Sequence, residues 1–112
     1  MAVDTTTAIE IIAGDSYLNA DSRAFTWTGS FSPDPTGATL SFVAVNEEGA
    51  AVLSATPSAV SASTLRLEVA TADTAALAAR KYDYEIQGLV SAEAYTYVRV
   101  EKGLTVLEDW SA

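Results

Sequence analysis

The chain of 112 residues contains neither cysteine nor histidine. Without cysteine it cannot form disulfides, thiolate zinc sites or a cysteine nucleophile. Without histidine it cannot assemble a Ser-His-Asp triad or a metal site with imidazole ligands. A serine paired with Lys81 or Lys102 is the remaining route to a nucleophilic hydroxyl, but no catalytic motif surrounds either lysine. The phosphate-binding patterns GxxxxGK and GxGxxG do not occur either.

Positive charge is also scarce, since 6 basic residues face 15 acidic ones and the net charge is −9. Nucleic acids and anionic membrane surfaces are bound through clustered Lys and Arg, so neither is an expected partner. No apolar run approaches the ~20 residues of a membrane helix. The N-terminal residues MAVDTTTAIEII lack the basic and apolar regions of a signal peptide. We therefore expect a chain that is synthesised and folded in the cytoplasm, and whose acidity favours solubility or a basic partner.

What the sequence does contain is an alternation of apolar and polar residues, which is typical of strands with one buried face. The clearest run is RAFTWTGSF at 23–31, where Phe25, Trp27 and Phe31 share one side. The run at 38–46 is apolar on both sides, which predicts a central or covered strand. The remaining predicted strands cover residues 8–13, 50–56, 64–70, 81–87, 92–101 and 104–107, and residues 58–63 are predicted as a loop or a weak edge strand.

One segment, at 71–79, departs from this alternation. Its alanines favour a helix and the Thr71 hydroxyl is suited to cap it, so we predict one to two helical turns. Leu77 would then close the core, Tyr82 and Tyr84 would line the next strand, and Gly88 would end that strand. Turn signals recur about every 8 to 12 residues along the chain.

This spacing predicts an all-β fold, namely an Ig-like antiparallel β-sandwich of about seven or eight strands with one short helical turn. We expect a single domain that covers residues 1–112, with a flexible arm at 1–7 and a tail at 108–112. The arm is polar and β-prone, which suits it to adding a strand to another subunit's sheet.

The acidic residues offer two candidate sites. Asp83 and Glu85 lie on the same side of their predicted strand, and glycosidases use a pair of carboxylates. Asp34, Glu47 and Glu48 could supply oxygen ligands to calcium. The same residues are equally typical of a solvent-facing strand and of a hairpin turn at NEEG, and no twelve-residue calcium loop occurs. We therefore predict no catalytic residue, no metal and no cofactor.

Four aromatic residues are the candidate interface residues: Trp110, Tyr95, Tyr97 and Trp27. Aromatic side chains often anchor protein interfaces. Trp110 lies so close to the C-terminal end of the sequence that it either folds back over a sheet edge or inserts into a neighbour. Trp27 is most simply a core residue, so the core alternative stays open for it.

Three short motifs resemble those of small Ig-like domains in tailed bacteriophages. They are Gly14-Asp15, the sequence TGAT at 36–39, and TAAL at 74–77 followed by YDYEI at 82–86. That family includes the N-terminal domain of siphophage upper baseplate proteins and related tail-fibre and head-fibre modules. The family often has glycine before the tyrosines, where this chain has Ala79 and Arg80. The resemblance covers nearly the whole chain, and its motifs are structural ones that bring no catalytic residues.

The resemblance implies a non-enzymatic structural protein of a tailed-phage virion, made in the host cytoplasm. Such a protein would assemble on the particle surface, as a capsid decoration or as a tail, baseplate or fibre adaptor. Its partners would be other virion proteins and further copies of itself, contacted through edge strands and aromatic anchors. The alternatives are a carbohydrate- or receptor-binding module, in which Trp27, Tyr95 and Tyr97 stack on a ligand, and a hydrolase that uses Asp83 and Glu85.

Overall fold

The alternation of apolar and polar residues produces eight strands in the computed structural model, which describes residues 3–108. A short helix, α1, comprises Thr71–Thr74, and 3-10 turns occur at Asn19–Asp21 and Pro35–Gly37. The strands are β1 (Ile9–Ile12), β2 (Phe25–Thr28), β3 (Thr39–Val45), β4 (Ala51–Ala55), β5 (Ser58–Ser61), β6 (Thr64–Leu67), β7 (Lys81–Val90) and β8 (Glu93–Leu107).

The strands form two sheets, one of five strands in the order β1-β8-β7-β3-β4 and one of three in the order β2-β6-β5. The chain passes between the sheets after β1, β2, β4 and β6. This is the predicted all-β, Ig-like sandwich. One pairing differs from the antiparallel expectation, because β1 runs parallel to β8, with Ile9 opposite Leu104. Alternation reports which face of a strand is buried, but it carries no information about the direction of a neighbour.

The inward-facing side chains of both sheets meet in one core. Its largest fully buried members include Trp27 on β2, Phe42 on β3 and Tyr84 on β7. The ring centroids of Trp27 and Tyr84 lie 5.9 Å apart, and those of Phe42 and Tyr84 lie 5.4 Å apart. Aromatic pairs at such distances add roughly 0.5–1.5 kcal/mol beyond the area that they bury. This cluster therefore joins the two sheets at their centre.

The helix between β6 and β7 is one turn long and lies at the start of the segment predicted to be helical. It ends at Thr74, and its first amide, of Thr71, is capped by Ser16 Oγ at 3.0 Å rather than by the Thr71 hydroxyl. The Asp73 carboxylate accepts the Ala70 N–H at 3.0 Å. Because helices this short are unstable alone, tertiary contacts decide where α1 ends, and alanine propensity does not.

Two side chains close this corner of the sandwich. The Thr74 hydroxyl is fully buried, accepts the Gly14 N–H at 3.0 Å and donates to the Asp15 carbonyl at 2.8 Å. The Tyr82 hydroxyl donates to the Ala78 carbonyl four residues earlier, also at 2.8 Å. The second contact is the tyrosine corner found at this crossing in Ig-like sandwiches. Thr74 and Tyr82, which belong to the TAAL and YDYEI motifs, therefore have a structural role at this corner.

Two glycines lie inside strands. β7 does not end at Gly88 but continues to Val90, and β8 runs unbroken through Gly103 where two strands were predicted. A Cβ at Gly88 would lie 2.8 Å from the Tyr97 ring, and one at Gly103 would lie 2.7 Å from the Tyr84 ring. The Cβ at Gly103 would also overlap the Val100 side chain, so both glycines are explained by the close approach of neighbouring side chains.

The segment before β1 is bonded to its own sheet. The Asp4 N–H donates to the Tyr97 carbonyl at 3.1 Å, and the Arg99 N–H donates to the Asp4 carbonyl at 2.8 Å. Partial burial raises the pKa of Asp4, but hydrogen bonds from the Thr7 hydroxyl and from the amides of Thr6 and Thr7 lower it below its usual value. Within the arm predicted at residues 1–7, the Asp4 backbone therefore already has partners in the chain's own sheet. Residues 1–2 of the arm and 109–112 of the tail lie outside the described residues.

Replacing Gly88 by alanine should destabilise the protein by about 1–3 kcal/mol, because the new methyl group overlaps the Tyr97 ring. Gly37→Ala is the matched control, since a Cβ there meets nothing within 4 Å. Urea unfolding of the two variants measures the difference. Equal stability of Gly88→Ala and Gly37→Ala would contradict this account of the packing.

Candidate functional site

A polar network crosses the core. The Trp27 indole N–H donates to the Tyr84 hydroxyl at 2.8 Å, and that hydroxyl donates to the Thr7 carbonyl. Burial, together with the nearby charge of Asp4, raises the pKa of Tyr84 to about 12, although the bond from Trp27 acts in the opposite direction. Because the hydroxyl is enclosed and both donates and accepts a hydrogen bond, it acts as a link between chain segments rather than as a reactive group.

The position of the Trp27–Tyr84 hydrogen bond in the fold can be compared with that of the disulfide in antibody-type domains. Antibody-type domains join their two sheets with a disulfide whose second cysteine lies two residues after the corner tyrosine. Here Tyr84 lies two residues after Tyr82, and its partner Trp27 lies on β2 of the opposite sheet. A hydrogen-bonded aromatic pair therefore occupies the place of the inter-sheet disulfide in a chain without cysteine.

The four predicted interface residues lie in different environments. Trp27 and Tyr97 are each 1% exposed, and the Tyr97 hydroxyl donates to the Pro33 carbonyl at 2.8 Å. Their assignment as interface residues is wrong, because neither ring can be reached from outside. Tyr95, which is 37% exposed, lies near the end of the β7–β8 hairpin, and Trp110 lies outside the described residues. The register shift after Ile86 explains the error, since it turns Tyr97 inward beside Val98.

The two acids considered for catalysis each have a partner in the fold. Asp83 Oδ1 accepts the backbone N–H of Lys102 at 2.7 Å, where Lys102 has the positive φ of 52°. Glu85 lies 3.7 Å from the Arg99 guanidinium. Both acids border a shallow depression of about 160 Å³ on the outer face of the five-stranded sheet. Asp83 therefore stabilises the irregular part of β8, which accounts for its position without catalysis.

The acids considered for calcium are far apart. Asp34 precedes β3, whereas Glu47 and Glu48 follow it, so the length of a seven-residue strand, roughly 20 Å, separates them. Backbone and side-chain hydrogen bonds from Thr36 lower the pKa of Asp34, which caps a 3-10 turn. Within residues 3–108, acidic side chains do not gather in threes that could hold a metal ion. The three acids therefore cannot share one ion.

The outer faces of the two sheets differ in charge. Strands β2, β5 and β6 contain one charged residue, Arg66. Apart from Val60 on β5, their other outward positions are hydroxyl side chains, such as Thr26, which is opposite Arg66, and Thr28, which is opposite Thr64. The outer face of the five-stranded sheet instead carries Glu10, Lys81, Asp83, Glu85 and Arg99.

Charge is also missing from one side of the sandwich. The run from Gly49 to Leu65 contains no charged residue, and it includes β4 and β5, each an edge strand of its sheet. Two residues connect these strands, so the two edges lie on the same side. Val60 on β5 is 49% exposed. We call residues 49–65 the uncharged edge. Soluble proteins normally protect edge strands with charge, proline or bulges, so an uncharged edge is a candidate contact surface.

Sequence reasoning missed this surface. The signal was present as a 17-residue stretch without charge in a chain of net charge −9. Residues 58–63 were expected as a loop or a weak strand, and only the sheet order shows that β4 and β5 both end a sheet. Which strands are edges depends on pairing between distant segments, and a local pattern does not report that pairing.

Neither the family models nor the curated proteins include a detectable relative of this chain. The resemblance to phage Ig-like domains therefore remains a prediction based on the short motifs. Among the helices in the described range 3–108, none is long and apolar enough to cross a membrane.

The buried Tyr84 hydroxyl should make the free energy of unfolding depend on pH in the alkaline range. Between pH 10 and 12 the folded protein retains the Tyr84 proton, whereas the unfolded chain releases it near pH 10. The unfolding free energy should be unaffected by Tyr84 ionisation below pH 10 and should fall by about 2–3 kcal/mol across this window. In Tyr84→Phe the fall should be smaller by that amount. Urea unfolding at a series of pH values measures it.

Some pH dependence should remain in Tyr84→Phe, because burial and the nearby Asp34 charge also raise the pKa of Tyr97. Identical pH profiles for the wild type and Tyr84→Phe would show that Tyr84 is not held protonated by the fold.

Asp83→Ala should destabilise the protein by about 1 kcal/mol, because the Lys102 N–H loses its acceptor. Glu85→Ala is the matched control on the same strand. It should change stability by less than about 0.5 kcal/mol, since Arg99 is mostly exposed and the ion pair is long. Thermal unfolding compares the two variants, and a larger loss for Glu85→Ala would refute the structural role of Asp83.

Proposed function

We propose that this chain is a non-enzymatic structural protein of a tailed-phage virion, assembling on the particle surface as a capsid decoration or as a tail, baseplate or fibre adaptor. The observation that carries the contact role is the uncharged edge, where two edge strands lie side by side without a charged residue between Gly49 and Leu65. The virion setting comes from the motif resemblance, and the uncharged edge supplies a surface on which such a protein could bind.

The distribution of charge supports this arrangement. A protein of net charge −9 repels its own copies, so dense assembly requires that contacts avoid the acids. The uncharged edge and the adjoining face of the three-stranded sheet meet this requirement. The charged outer face of the five-stranded sheet would then face solvent, where charge keeps the protein soluble.

The chemistry of the described residues supports a role without catalysis. The polar groups that looked reactive in the sequence have structural partners, namely Lys102 for Asp83 and Trp27 for Tyr84. The carbohydrate-binding alternative required three aromatic rings for stacking, and two of them, Trp27 and Tyr97, are buried. Tyr95 alone provides a narrow platform, so contact with protein is the better-supported function.

Quantitative mass spectrometry of purified tailed-phage particles from the genome that encodes this chain tests the proposal directly. The chain should be present in many copies per particle. Particles that lack the wild-type chain would refute the virion role.

Val60→Lys should reduce incorporation into particles about tenfold or more, because a lysine would be buried without a partner at the contact. Leu89→Lys is the matched control, since Leu89 is equally exposed but lies at the β7–β8 hairpin, outside the uncharged edge. Equal incorporation of Val60→Lys and wild type would show that β5 does not face the particle.

A further inference from the structure

We propose that two copies of this chain join through antiparallel pairing of their β4 strands, which extends each five-stranded sheet into a continuous sheet of ten strands across a two-fold axis. This inference rests on the proposed contact role of the uncharged edge and names the partner of one part of it.

Of the four edge strands, β4 is the least protected. β1 carries the charge of Glu10, β5 directly follows Pro57 and has a register irregularity at Val60, and β2 has only four residues. Short length, charge, proline and bulges are the features that prevent unwanted strand pairing. β4 has five residues, AVLSA, with neither charge nor proline, and its one register irregularity lies at Val52, towards the start of the strand. The unpaired backbone N–H and C=O groups along its outer edge can therefore pair with another strand.

Part of β4 is regular enough to pair. The register with β3 shifts near Val52, but Leu53, Ser54 and Ala55 remain in an unbroken ladder opposite Ala44, Val43 and Phe42. Leu53 is 5% exposed and faces the core, whereas Ser54 is exposed on the outer face. A strand added to this ladder would continue both faces of the sheet.

The sequence of this stretch is complementary to itself. In an antiparallel pair with the two-fold axis at Ser54, each Leu53 lies opposite Ala55 of the second copy on the core side. Ser54 then lies opposite its own counterpart on the outer side. Large and small apolar residues thus alternate across the contact, and the facing serines are small enough to allow strand spacing. Such an isologous contact closes as a dimer.

The absence of charge at this edge favours a second copy of the chain over a basic partner. A basic protein would be attracted to the acids on the five-stranded face rather than to a surface without charge. Two copies of net charge −9 meet with least repulsion where neither brings an acid, and residues 49–65 bring none. The β4 edge is therefore the surface on which the chain can best bind itself.

A single introduced cysteine tests the register, because the natural chain has no thiol to compete. Opposite residues in an antiparallel pair have Cα atoms roughly 4.5–5.5 Å apart, within the span of a disulfide. Oxidised Ser54→Cys should form disulfide dimers in high yield, as judged by non-reducing electrophoresis. Ser61→Cys, exposed on the β5 edge, is the control and should cross-link only slowly. Equal rates for the two variants would overturn the proposal.

Analytical ultracentrifugation gives an independent test on the wild-type protein. It should show a reversible dimer, and Ser54→Lys should weaken it by about tenfold or more, because the two lysines would face each other. Ser41→Lys, also exposed but in the central strand β3, should leave the dimer unchanged. A wild type that stays monomeric at about 100 μM, well above the range of a micromolar contact, would overturn self-pairing.

The outcomes separate the two proposals. A protein found in virions that is monomeric in solution and on the particle refutes β4 self-pairing alone. A dimer that is absent from purified virions refutes the virion role alone. If Ser54→Cys cross-links on particles to a different protein and never to itself, β4 binds a foreign strand and the self-pairing proposal fails.

Discussion

The hydrogen bond between Trp27 and Tyr84 is the contact on which the rest of this sandwich depends. It joins β2 to β7 across the core, and the same Tyr84 hydroxyl reaches the Thr7 carbonyl, so three distant parts of the chain meet at one oxygen. Burying an indole N–H and a phenol without partners would cost about 1–3 kcal/mol each. Bonded together, these groups fix how the sheets are placed, in a chain with no cysteine to do so.

The corner between β6 and β7 completes this arrangement. Thr74 binds the turn after β1, and Tyr82 binds the Ala78 carbonyl, so the chain enters β7 with Tyr84 aimed at the core. Aromatic and acidic residues alternate along β7 because one face packs and the other meets water. In the sequence this pattern resembles a functional cluster. In the fold the inward side chains pack in the core, and Asp83 on the outward side accepts the Lys102 N–H in the irregular part of β8.

Because the core takes up most of the aromatic residues, binding depends on what the edges and outer faces carry. The acids and bases of the sheets lie mainly on the five-stranded face, while the three-stranded sheet and the edges β4 and β5 are nearly free of charge. This asymmetry is a property of the folded chain, since it arises from sheet order. It explains how an acidic protein can present one side on which proteins, including its own copies, can approach closely.

The sequence by itself determined the class of fold and the inward face of most strands, because alternation directly records burial on a pleated sheet. It also determined that a tyrosine-bearing strand follows a short helical turn. Only the tertiary structure decided that β1 runs parallel to β8, that Tyr97 is buried whereas Tyr95 is exposed, and that Gly88 lies within a strand. Each of these depends on a neighbour far along the chain, such as the ring above Gly88 or the strand beside β1. The candidate contact surface belongs to the second group, because β4 and β5 become edges only once every other strand has found its partner.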